Sequence, residues 1–147
     1  MTGFQLSDAG TGFAFGHIGD QVMKCYFYSH ALEDPQQRGL GVVSFIVPEL
    51  NVSFRAKYMG TEIECYYAAL LALLEFAEIN PQLFEKKILQ IYSDSLLLVG
   101  QVNMQLNCSR GLEPFLHRTL AYKKKVPFSL AWITRRENPA FDPSLLE

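Results

Sequence analysis

Thiols are scarce in this chain, and none sits in a C-x-x-C pair. Cys25, Cys65 and Cys108 are odd in number and far apart, which argues against a disulfide framework and against the short-spaced thiolate sets of zinc or redox sites. They read as reduced, mostly buried thiols of a cytoplasmic protein. Long apolar runs are missing too. None reaches the ~18 residues that suggest a membrane span, and the opening "MTGFQLSDAGTGF" lacks the basic start and apolar stretch of a signal peptide. No membrane partner is expected. Charge of one sign is also wanting: 13 Lys and Arg against 15 Asp and Glu leave a net charge of −2, so no global field draws the chain to nucleic acid or anionic lipid. Any polyanion binding has to come from a local patch.

What is present is globular. With 147 residues, 49% of them hydrophobic and 13% aromatic, the chain is long enough for one domain with a real core and too short for two of ordinary size. Residues 1–21 are glycine-rich, with Phe13, Phe15 and Ile18 spaced as an extra strand would space them, and read as an N-terminal extension. Residues 22–147 form the domain proper.

From Val22 the punctuation is clear. "VMKCYFYSH" is β-branched and aromatic, "EDPQQRG" is a polar loop, and "LGVVSFIV" and "NVSFRAKYM" flank a "PEL" turn, which gives three strands. "TEIECYYAALLALLEFAEI" has helical length and composition, with Thr61 and Glu64 spaced as a capping box. It is apolar nearly all round, so it should be covered by a sheet and also by another helix or a second subunit, which makes a homodimer or a protein partner an expectation. "KILQIYS" reads as a buried strand and "SLLLVGQVN" as a short helix that Asp94 or Ser93 can cap. "GLEPFLHRTLAYKKK" is an amphipathic helix and "PFSLAWITRR" a last strand. The order predicts a mixed α/β sheet flanked by helices.

One residue interrupts this regularity. In "QIYSDSLLLVGQVN" an acid, Asp94, ends an apolar strand, where a carboxylate is expensive unless a metal, a partner or solvent compensates it. Asp94 is therefore a site residue or a helix cap.

The element order and four local motifs resemble the ribonuclease H family, in its compact forms. The resemblance covers roughly residues 22–142: a first strand followed by a glycine-containing turn ("QQRGLGVVSF"), a Thr at the start of the first helix with "AALLALLEF" downstream, "SDSLLLVGQVN" after the fourth strand, and "AWITRRENPAFD", which carries the Trp, the Arg, Glu and Asn, and a final Asp. It implies a five-stranded mixed sheet flanked by helices, and a site where four acids hold two divalent metals at a phosphodiester. Carried over residue by residue, Asp94 matches the third acid and Asp142 the fourth. His30 falls at the first position and Tyr66 at the second. A neutral imidazole and a neutral phenol bring no charge to a magnesium pair, so about half the ligand charge is lost. Glu64 lies two residues before Tyr66, about 200° around the helix, and points elsewhere. Asp8 in "LSDAG" resembles a strand-end acid, but using it leaves two surplus strands.

Two functions follow from the resemblance. The first is a catalytically inactive ribonuclease H-like domain that binds nucleic acid or a protein and needs no cofactor. The alternative is a metal-dependent nuclease cleaving RNA in RNA/DNA hybrids, with Asp94 and Asp142 as metal ligands, His30 or Glu64 completing a reduced set, and Mg or Mn as the ion. The "YKKK" run at 122–125 reads as a solvated helix end, and a phosphate-tracking patch with Arg135 and Arg136 is the minority reading.

Overall fold

The structure, a computed structural model, describes residues 21–32, 34 and 37–141. Asp8, Asp142 and the expected extra strand of the N-terminal extension lie outside them. The chain runs β1 (Val22–Ala31), β2 (Gly39–Val47), β3 (Val52–Gly60), α1 (Glu62–Ile79), α2 (Pro81–Phe84), β4 (Ile88–Ser93), α3 (Leu96–Val102), α4 (Glu113–Ala121) and β5 (Phe128–Trp132). The five strands make one sheet in the order β3-β2-β1-β4-β5. β1, β2 and β3 pair antiparallel, while β4 runs parallel to β1 and β5 parallel to β4. The mixed sheet predicted from the sequence is thus observed, and no described helix is long and apolar enough to cross a membrane.

Strand alternation decides which face is which. Met23, Cys25 and Phe27 of β1, Val43, Phe45 and Val47 of β2, and Leu89 and Ile91 of β4 are buried beneath α1. Phe27 meets Tyr66 and Phe45 meets Phe76 across that interface. Each such large side chain, fully withdrawn from water, contributes about 2 kcal/mol. The opposite face carries Lys24, Tyr26, Tyr28 and His30. Residues 139–141 fold over one end of it, where the Tyr28 and Phe141 rings lie 5.2 Å apart and Ser44 donates to the Ala140 carbonyl.

Thr61 caps α1 through the expected box: its side chain accepts from the Glu64 amide while the Glu64 carboxylate accepts from Thr61 N. Such a cap is worth about 1 kcal/mol. The second cover of α1 is another helix of the same chain, α4, whose Phe115 ring sits 5.8 Å from that of Tyr67. The apolar surface of α1 therefore needs no second subunit to explain it.

Two elements differ from expectation. The last strand stops at Trp132 rather than running through Arg136, because Thr134 and Glu137 form a second capping box around a 3-10 turn at Arg135–Glu137. The cap of α3 is Ser95, whose hydroxyl accepts from Leu98 N, and Ser93 in turn accepts from Ser95 N. Neither Asp94 nor Ser93 caps the helix. All three residues of the Ser-Asp-Ser run are good caps, so the sequence does not choose among them.

Candidate functional site at the ends of β1 and β4

The Ser95 cap releases Asp94 for other work. β4 ends at Ser93, and the two serines turn the chain into α3 between them, leaving the Asp94 side chain beside the start of α1 and the turn after β5. It is only 3% exposed. Three donors surround it: the Tyr66 hydroxyl reaches Oδ2 at 3.1 Å, Arg135 Nε reaches the same oxygen at 3.4 Å, and Asn138 Nδ2 reaches Oδ1 at 3.0 Å. The expense of burying this carboxylate is met by a cation and two neutral donors.

Each partner is itself held. Asn138, 2% exposed, also donates Nδ2 to the Phe27 carbonyl at 2.9 Å and accepts from Ala140 N at 3.0 Å, so it ties the ends of β1 and β4 to the C-terminal segment. Arg135 is set by the capped turn and lies 5.8 Å from the Tyr28 ring centroid and 5.7 Å from that of Phe141. Tyr66 projects from the second turn of α1, its ring edge-on to Tyr28 at 6.0 Å. Trp132 donates its indole N–H to the Asp94 carbonyl at 3.3 Å and is 46% exposed.

Burial and then the Asp94 charge push the Tyr66 phenol far above its ordinary range, so it stays a donor. Burial likewise raises Tyr28, against the pull of Arg135 and with the help of Asp94 and Glu62. Partial burial works against the Arg135 cation, but Tyr28, Tyr66 and Asp94 outweigh it and hold the guanidinium above its ordinary range. The group is a permanent cation.

Of the residues singled out from sequence, the structure joins Asp94 and Tyr66. His30 lies elsewhere: it pairs with Val42 and stacks on Tyr28. β1 and β4 align Tyr26 with Tyr92, and two more residues in that register put Tyr28, not His30, level with Asp94. Glu64 is engaged by its cap and by an ion pair with Arg38. Arg135, offered by the sequence only as part of a phosphate-tracking patch, joins them, and Asn138 and Tyr28 complete the cluster without having been singled out. Their signals were the Arg and Asn of "RREN" and the last aromatic of β1.

A divalent metal does not fit these residues. Hard cations want several anionic or carbonyl oxygens, whereas Asp94 faces a phenol, an amide nitrogen and a guanidinium. The Asn138 oxygen is already used by Ala140. Among the described residues no group of three or more His, Cys, Asp or Glu side chains stands ready for a metal.

No protein-family model and no curated protein matches the chain. Solved structures do. LC11-RNase H1 in complex with an RNA/DNA hybrid superposes with a TM-score of 0.68 at 15% identity, over 80% of this chain and 88% of that one. RNase H1 from the halophilic archaeon Halobacterium salinarum gives 0.65 at 16% identity, over 85% and 97%. The N-terminal RNase H domain of rv2228c from Mycobacterium tuberculosis gives 0.65 at 14%, over 84% and 90%. The chain has the ribonuclease H fold.

Proposed function

We propose that this protein is a ribonuclease H-like domain that binds nucleic acid without cleaving it. The observation that carries the reading is the Asp94 carboxylate engaged by Tyr66, Arg135 and Asn138 at once. A carboxylate neutralised by a guanidinium inside the same hydrogen-bond set gives up the negative charge that a two-metal hydrolysis needs. Binding is favoured over a purely structural role by the setting: Arg135 and Arg136 are adjacent and exposed, Trp132 lies exposed beside them, and LC11-RNase H1, which shares the fold, is solved with an RNA/DNA hybrid. The local patch required by a net charge of −2 is then the end of β5 and the turn after it.

The test is a labelled RNA/DNA hybrid incubated with the protein in magnesium, in manganese and in chelator. Binding is followed by fluorescence anisotropy and cleavage on a denaturing gel, for the wild type and for Asp94→Asn. The expected result is binding that survives chelation, with no cleavage in either metal. Cleavage that requires metal and disappears in Asp94→Asn would establish the nuclease alternative. Absence of binding from a folded sample would leave a protein-interaction role.

A further inference from the structure

The geometry points to Arg135 as a phosphodiester receptor that stands in place of a metal ion. This rests on the nucleic-acid reading above and names the group that would do the holding.

In a metal-dependent site the acids are there to hold a cation, and the cation holds the phosphate. Here Asp94 holds a cation that belongs to the chain. Only one nitrogen of Arg135 is spent on it: Nε faces Asp94 Oδ2, and among the described residues neither terminal nitrogen has a hydrogen-bonded partner. The guanidinium is fixed on its inner edge by the carboxylate and along its face by the Tyr28 and Phe141 rings, while the side chain remains 51% exposed. A planar fork with its inner edge immobilised and its outer N–H groups open to solvent suits the bidentate recognition of a phosphate. Little conformational freedom is left to lose on binding.

Two further features lie at the same place. The Tyr28 hydroxyl is buried, in a residue 1% exposed, and has no hydrogen-bond partner among the described residues. A donor in this position, 5.8 Å from the guanidinium to the ring centroid, is one that a phosphate oxygen held by Arg135 would satisfy. The exposed indole of Trp132, anchored by its N–H to the carbonyl of the same Asp94 that holds the guanidinium, offers an aromatic surface on which a base or sugar can rest. That surface favours a nucleic-acid backbone over free inorganic phosphate. Glu62, exposed and electrostatically coupled to Tyr28, is the nearby acid that a phosphate must tolerate.

The experiment is a titration of a labelled RNA/DNA hybrid, in chelator and at several salt concentrations, with the wild type, Arg135→Gln and Arg135→Lys. Inorganic phosphate serves as competitor, and thermal melts check that each variant is folded. Arg135→Gln should weaken binding about tenfold, the cost of losing a charge-assisted pair, and reduce the slope of log affinity against log salt by roughly one. Arg135→Lys, which keeps the charge and loses the fork, should retain the wild-type salt slope while binding more weakly. If Arg135→Gln fails to fold, the lysine variant carries the test. Millimolar inorganic phosphate should compete poorly. Wild-type affinity and slope in Arg135→Gln, or full affinity in Arg135→Lys, would overturn the assignment and leave the nucleic-acid reading standing. Efficient displacement by inorganic phosphate would overturn the backbone as ligand. A wild type that binds no hybrid would remove both.

Discussion

Tyr66 and Tyr67 are neighbours on α1, both buried, and their hydroxyls end in different worlds. Tyr67 donates to Gln101 Oε1 at 2.7 Å beneath α3, and the Gln101 amide continues to the Asn107 carbonyl. Every group in that hydrogen-bonded chain is neutral. Tyr66 donates to Asp94, which is shared with a half-exposed arginine and with Asn138. The first arrangement does nothing but satisfy polar groups that folding has buried. The second holds a charge pair at the open end of the parallel strands, where one partner has donors unengaged among the described residues. Turning by one residue along a helix is about 100°, and here it separates structure from candidate function.

Removing the residue that ties the charged region to β1 and to the C-terminal segment should cost most. Asn138→Ala deletes the bonds to Phe27, Asp94 and Ala140 together, and should destabilise by about 3 kcal/mol, roughly 10 °C in melting temperature. A loss below about 1 kcal/mol would mean that the C-terminal segment is not clamped as described. Next comes the neutral side. Tyr67→Phe strands a buried Gln101 oxygen and should cost about 2 kcal/mol in urea unfolding, while leaving hybrid binding unchanged.

The buried core also predicts a pH response. Burial, with a smaller push from Glu49, takes the Cys25 thiol up to about 12 from 9.0. The native state keeps its proton where the unfolded chain has lost it, so this contribution to stability is intact below pH 9 and is lost as pH rises toward 12. At pH 10 the loss is about 1.4 kcal/mol, and it should be absent when Cys25→Ala is followed through the same pH series. The smallest effect is expected at the charged side. Tyr66→Phe leaves Asp94 with Arg135 and Asn138 and should cost about 1 kcal/mol or less. If it costs more than Tyr67→Phe, the two regions are not distinguished as argued.

The fold was legible because its signals are local. The β-branched and aromatic run of β1, the Thr61–Glu64 box and the apolar run of β4 each declare themselves within a few residues, and each element appears where its pattern lies. The site was legible by half. Asp94 and Tyr66 were reached through motif spacing, and they touch. The first-strand position was placed at His30 because the strand pattern ends there, but which residue faces Asp94 is set by the β1–β4 register, which no single strand encodes. Arg135 and Asn138 are 41 and 44 residues from Asp94, and only the assembled sheet, with β5 beside β4, brings them to it. The reading of Asp94 as a cap failed for a local reason, since Ser95 has the same chemistry and the better position.

The central claim is that the Asp94 cluster holds the chain's own cation and has no place for a divalent metal. Trp132 is the one tryptophan, and its indole N–H lies on the Asp94 carbonyl, so its side-chain NMR signal reports on that spot. Titrating manganese into the folded protein should leave the indole resonance sharp at concentrations where unspecific surface sites begin to broaden. Saturable broadening of that resonance at low manganese, lost in Asp94→Asn, would contradict the account and return the site to metal chemistry.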